Sequence, residues 1–298
     1  MLANPLKIAV VIASKGRPLE LAQRTGLLAE QTRPPVTVVY SVTGESDLPK
    51  RSDLYPTHTV VMGPAGAARQ RNRGMEVVLD ACDLIAFLDD DYVPAPWCLE
   101  AMADFMARFP TVVGANGTLL ADGIMTAGIE LDEAIGMVRS STPNGSADPR
   151  IEWDLTGLYG CNMVFRASSL SDIRFDEKLP LYSWQEDIDF AAQAAKHGRL
   201  VKTSAFVGVH QGVKRSRSSG LPFGYSQIAN PIYLMKKGTM PWSFGLKLIA
   251  KNIASNHLKS LRPEPWVDRT GRVRGNWLAF RDLLSGRLDP ENILRIKP

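Results

Sequence analysis

The sequence predicts an α/β protein: a doubly wound sheet, mainly parallel, with helices on both faces, followed by a basic helical extension. Three observations predict it. Over the first 120 residues, apolar runs of strand length alternate with helix-like stretches. The strand-like runs, such as Ile8 to Ala13 and Leu84 to Leu88, are apolar throughout, which is the pattern of strands covered on both faces. The charge is also divided: residues 211–298 hold 16 Lys and Arg against 5 Asp and Glu, whereas residues 1–210 hold 19 against 26.

Element by element, Lys7 to Ala13 reads as a strand, Pro18 to Glu30 as a helix, Val36 to Ser41 as a strand and Ala65 to Leu79 as a helix. Leu84 to Leu88 is the next strand and Pro96 to Arg108 the next helix, which completes a βαβαβ grammar. Residues 111–165 change character. Val112 to Leu120, Gly128 to Leu131 and Asn162 to Arg166 are short and glycine-containing and read as extra strands, and Ser140 to Pro149 reads as a mobile loop. A helix from Trp184 to about His197 and a strand from Val201 to Val209 follow, and the remainder is helical and basic.

With 298 residues, 45% hydrophobic and 22% charged, the chain is not disordered, fibrous or collagen-like. No apolar run approaches the roughly 20 residues a spanning helix needs. The start lacks a charged, then long apolar, then cleavable leader, and the three cysteines, Cys82, Cys98 and Cys161, form no CxxC pair. A reducing cytoplasm is expected. The basic tail predicts contact with something anionic, whether phosphate, nucleic acid or lipid headgroups, unless it is simply a solvated appendage. Between Trp242 and Leu261, apolar residues at near-helical spacing with interspersed lysines suit either a bilayer surface or packing on the main domain.

The chemistry-bearing residues lie where such a fold binds ligands. Asp89-Asp90-Asp91 follows the strand Leu84 to Leu88 directly, and ligands in open α/β sheets bind at the carboxyl ends of strands. With a side-chain period of two, Asp89 and Asp91 point the same way and can share Mg²⁺ or Mn²⁺, a hard ion that also takes phosphate oxygens. Helix capping explains one such aspartate but not three. Glu186, Asp187 and Asp189 open a predicted helix, where the macrodipole favours the ionised form, either for catalysis or simply to complement the helix end.

The order of these motifs resembles the GT-A fold glycosyltransferases of family 2. The resemblance runs from about residue 6 to 212, through Ile8 to Ser14, Arg71-Asn-Arg-Gly, Ala86-Phe-Leu-Asp-Asp-Asp, Gly160-Cys-Asn-Met and Trp184-Gln-Glu-Asp. It implies inverting transfer of a sugar from a nucleotide diphosphate sugar donor to an acceptor hydroxyl, with a divalent metal, Mn or Mg. It assigns Asp91, Asp89 and His210 to the metal, and Asp187 to the base with Glu186 as acceptor positioner or alternative base. Ser41, Arg71, Asp89, Asp90, Gly160, Lys214 and Arg217 fall beside the donor, with the last two in a cationic lid. Trp184 and Asn162 fall beside the sugar or acceptor. Ser41 stands where many relatives carry a base-binding aspartate, so the base is left open. The resemblance also sets the domains: residues 1–212 form the catalytic domain, with a nucleotide-binding half to about 110 and an acceptor-binding half from 111, and residues 213–298 form the extension. No QxxRW element occurs, so a non-processive enzyme is expected. Its implied context is surface polysaccharide or glycolipid assembly in the cytoplasm, with a saccharide or lipid-linked acceptor and a possible peripheral contact at the inner face of an anionic membrane. No nucleic acid is expected as a partner. The rivals are a sugar nucleotidyltransferase, which would need a long glycine-rich loop after the first strand, and a non-catalytic binding protein on the same fold.

Overall fold

The computed structural model describes residues 5–142, 150–214 and 219–296. Its elements, in chain order, are β1 (Ile8–Ala13), α1 (Pro18–Ala29), β2 (Thr37–Val42), β3 (His58–Met62), α2 (Ala67–Val78), β4 (Leu84–Leu88), β5 (Tyr92–Pro94), α3 (Cys98–Arg108) and β6 (Val112–Asp122). They continue with α4 (Leu131–Ser140), β7 (Ile151–Asp154), β8 (Asn162–Arg166), α5 (Glu186–Ala194), β9 (Arg199–His210), α6 (Gly220–Lys237), α7 (Trp242–Ser260) and α8 (Arg269–Leu284).

These strands form one sheet in the order β3-β2-β1-β4-β8-β6-β9-β5, with β7 also pairing β9. The first four are parallel, as the apolar runs require. The sheet as a whole is mixed: β8 runs antiparallel to both β4 and β6, and β5 and β7 run antiparallel to β9. The continuous apolar character of β1 follows from its position. Ile8, Val10 and Ile12 face a core shared with α1, α3 and α4, whereas Ala9 and Val11 face a second core shared with α2 and α5. Full burial of such side chains is worth about 1.5–3 kcal/mol each, so β1 is a principal anchor of both layers.

Two expectations are corrected, and one strand was not expected. Gly128 to Leu131 is not a strand: Leu131 instead opens α4, whose Ala134 and Val138 are buried four residues apart on one face. His58–Met62 is a strand, at the edge of the sheet and only half-buried, so it lacks the apolar contrast of its neighbours. The first residue of the expected loop at Ser140 to Pro149 belongs to the last turn of α4, and its residues 143–149 lie outside the described residues.

Helices α6, α7 and α8 build a third apolar cluster around Tyr225, Ile228, Leu234 and Ala279. Leu179 and Ile188 join it from the main body, so the basic extension packs beside the segment that carries Glu186 and Asp187. Among the described residues, no helix is long and apolar enough to cross a membrane.

Candidate active site

Strand pairing assembles the acidic cluster. Asp89, Asp90 and Asp91 fill the turn from β4 to β5, and β5 pairs with the end of β9 so that Tyr92 lies opposite His210. The parallel register of β6 and β9 sets Asp122 opposite the same histidine. As a result His210 Nε2 lies 3.2 Å from Asp91 Oδ1, and Nδ1 lies 2.9 Å from Asp122 Oδ1. The Tyr159 hydroxyl closes the group at 3.2 Å from Nδ1 and 3.3 Å from Asp122 Oδ2. Asp91 is further fixed by the Val213 amide, which donates to Oδ2 at 2.8 Å.

One ligand atom each from Asp89, Asp91 and His210 lie within 4.8 Å of one another, a spacing that one cation can span. Two carboxylates and an imidazole suit a hard divalent ion. Asp122 on the far ring nitrogen is the partner that a ligating histidine needs to present Nε2. The electrostatics agree with this fit. Burial works against a charged His210, yet hydrogen bonds to Asp122 and Asp91 outweigh it and raise the imidazole to about 10. Burial likewise opposes ionisation of Asp91, but the His210 contact and Arg17 hold its carboxyl well below the usual range. The cluster is therefore built around positive charge.

Arg71, on α2, links this cluster to the acidic helix. Its Nη1 donates to Glu186, and its Nη2 donates to Asp89 Oδ1 at 2.8 Å and to the Gly160 carbonyl at 3.3 Å. Gly160 in turn donates its amide to Asp187 Oδ2 at 2.8 Å. A Cβ at position 160 would lie 3.1 Å from Arg71 Nη2 and 3.3 Å from Asp187 Oδ2, so glycine is what permits this approach. Burial raises Glu186 to about 8, against the pull of Arg71, and raises Asp187 as well. Asp187 is half-buried, whereas Glu186 is enclosed.

The chain leading into α5 is strained. Leu181, Ser183 and Gln185 all have positive φ, at 60°, 53° and 76°, a conformation that costs such residues about 1–3 kcal/mol each. The segment holds because it caps α2: the Ala67 amide donates to the Leu181 carbonyl and the Ala68 amide to Ser183 Oγ, at 3.0 and 3.2 Å. Gly66, at the N-cap, has no side chain to do this.

Several expected binding residues are engaged inside the protein. Ser41 is wholly buried on the α2 side of β2, beneath Gly74, because its neighbours Tyr40 and Val42 take the other face. Thr43 and Asp47 lie beyond it, joined by an Asp47 carboxylate that also accepts the Gly16 amide. Asp90 turns away from the cluster to Ser14 Oγ at 2.6 Å and Arg17 Nη1 at 2.7 Å. Asn162 is buried in a sheet-spanning pair, accepting from Asn116 and donating to the Gly117 carbonyl. Lys214 Nζ donates to the carbonyls of Gly123 and Ile124. Trp184 is half-buried, its ring centroid 6.0 Å from that of Phe223 of α6, and Arg217 lies outside the described residues. Arg17, Asp122, Tyr159 and Asp47 escape the sequence reading. Only the aspartate before Gly123, at the end of a parallel strand, carried a usable signal.

The mixed α/β sheet with its helical cover is a GT-A fold. The chain belongs to glycosyl transferase family 2, whose model matches residues 10–174, more than half of its length. Among solved structures it is similar to residues 1–349 of TarS from S. aureus, at 14% identity and a TM-score of 0.55 over 97% of this chain and 82% of that one. The same TarS fragment in complex with UDP-GlcNAc gives 15% identity and a TM-score of 0.54, over 97% and 83%. GalNAc-T7 with UDP, GalNAc and Mn²⁺ gives 11% and 0.53, over 98% of this chain and 56% of that one. At these identities the likeness is one of fold. The chain spans 40% of the longer TarS structure. No curated protein sequence matches it.

Proposed function

We propose that the protein is an inverting, metal-dependent, non-processive glycosyltransferase that moves a sugar from a nucleotide diphosphate sugar to an acceptor hydroxyl. The observation that carries this reading is the pairing of two centres through Arg71: the Asp89, Asp91 and His210 cluster on one side and Glu186 with Asp187 on the other. Asp89, Asp91 and His210 would hold a divalent cation, which would supply charge neutralisation for the departing diphosphate. Asp187 takes the proton of the acceptor hydroxyl. Its raised pKa and its position across Gly160 from the cation-binding residues suit a general base. Glu186 keeps Arg71 in place and so fixes Asp89. Trp184 serves as an apolar wall on the acceptor side, and Lys214 meets the diphosphate.

Residues 1–212 carry this catalysis, and residues 213–298 form the basic helical extension. Surface polysaccharide or glycolipid assembly on the cytoplasmic side is the context that fits such an enzyme, with a saccharide or lipid-linked acceptor. The TarS complex with UDP-GlcNAc and the GalNAc-T7 complex with UDP make uridine nucleotides the first donors to try.

The test is calorimetric titration of UDP, GDP and dTDP, each with and without Mn²⁺, against the wild type and Asp91→Ala. One nucleotide should bind tightly only with metal, and the variant should lose that binding. Metal-independent binding of every nucleotide, or of none, would sink the reading.

A further inference from the structure

The extension leaves an unusual face in the open. From Lys236 to Arg262 the chain carries six Lys and Arg and no Asp or Glu. α7 buries only Gly245, Ile249 and Asn256, so Trp242, Leu246 and Leu258 stand exposed beside Lys247 and Lys251. α8 continues the surface: Arg274, Trp277, Arg281 and Leu284 are exposed and recur every three or four residues, along one side of the helix. The Trp277 ring lies edge-on to His257 of α7, with centroids 6.0 Å apart, so the two outward faces adjoin. The three most exposed large hydrophobic side chains among the described residues are Leu284 at 89%, Leu261 at 82% and Leu258 at 70%, all on these helices or at the end of α7. The carboxylate of α8, Asp282, is turned inward to the Tyr225 hydroxyl.

We propose that this face docks on the headgroup region of an anionic bilayer. Leucines enter the acyl boundary, the indoles of Trp242 and Trp277 lie at headgroup depth, and Lys247, Lys251 and Arg274 meet lipid phosphates. Charge decides among the possible occupants. A second copy of this chain in a two-fold contact would set lysine against lysine. Nucleic acid would satisfy the cations but leave the leucines in water. An anionic lipid surface satisfies both. Docking of this face does not depend on the transfer chemistry, and its test leaves the proposed activity untouched.

The full chain is floated with vesicles of phosphatidylcholine alone and of an equal mixture with phosphatidylglycerol, at low and high salt. It should float with the anionic vesicles only, and less at high salt. Lys247→Glu with Lys251→Glu should reduce the bound fraction by at least about tenfold, since each cation contributes on the order of 1 kcal/mol at such a surface. Leu258→Ser with Leu261→Ser should weaken it separately, and all four positions are solvent-facing, so the fold is kept. Equal recovery from both vesicle types, or flotation unaffected by either double variant, would overturn the proposal. So would sedimentation showing a dimer that the leucine variant dissolves, or tighter retention on heparin that the lysine variant abolishes while flotation persists.

Discussion

Arg71 shows how little slack the site has at the level of single residues. Its guanidinium is shared among Glu186, Asp89 and the Gly160 carbonyl, so any change that moves one partner is felt by the others. Gly160→Ala is the mildest such change. The added methyl must push Arg71 or Asp187 aside, and steady-state kinetics should show kcat falling by about tenfold or more with a smaller change in donor KM, since misplacement penalises chemistry more than binding. Asp122 acts one step further out, through His210. Asp122→Asn keeps an acceptor for Nδ1 but removes the charge, so Mn²⁺ affinity, read by the loss of free-ion resonance signal, should fall about 10–100-fold, and Asp122→Ala should fall further. Unchanged affinity in both variants would leave Asp122 as a structural partner of Tyr159 alone.

Whole elements are tied together by a few crossing contacts. Ser183 caps α2 from the far side of a strained turn, and Ser183→Ala should cost about 1 kcal/mol in denaturant unfolding, as loss of a helix cap does. Glu264 joins α7 to α8 by accepting from Lys259 and Arg269. The Arg269 hydrogen bonds hold its carboxyl below the ordinary 4.5, so its contribution is present above that pH and is lost as pH falls through the depressed value. Comparing thermal unfolding of the wild type and Glu264→Gln, a gap of about 1 kcal/mol at pH 7, modest because the pair is partly solvated, should close steadily below pH 4.5. At this scale most of the central fold could be read from the sequence. Continuous apolar runs identify β1, β2 and β4, because strands covered on both faces have no polar side to obscure them. The misses share a physical cause. β3 and β7 are edge or outward-facing strands with weak apolar contrast, and β5 is three residues long. In α4 the helical spacing was present but lay behind a glycine-rich approach. The acidic cluster and His210 were visible as motifs. Arg17 was not, since its contacts with Asp90 and Asp91 come from the fold and not from its neighbours in sequence, and Asp122 showed only its place at a strand end, its pairing with His210 being a matter of strand register.

For the molecule as a whole, the proposed activity and the proposed docking give the two regions of opposite charge separate tasks: an acidic body that gathers a cation and a basic extension that meets an anionic surface. The cation should stabilise the folded chain by mass action, about 2.7 kcal/mol at a concentration one hundred times its Kd. Differential scanning fluorimetry should therefore show a rise in Tm with Mn²⁺ for the wild type and for Glu264→Gln, but not for Asp91→Ala. A rise of equal size in all three would point to cation binding elsewhere.

The pairing of Tyr92 with His210 also carries a consequence for how the protein is made. Synthesis delivers Asp89 and Asp91 early, yet the histidine beside them emerges more than a hundred residues later, at the end of β9. Until then a nascent chain has its aspartates but no finished centre. On the proposed mechanism, truncated products and chains stalled on the ribosome that stop short of β9 should lack transfer activity, which should appear only when this long-range strand closes.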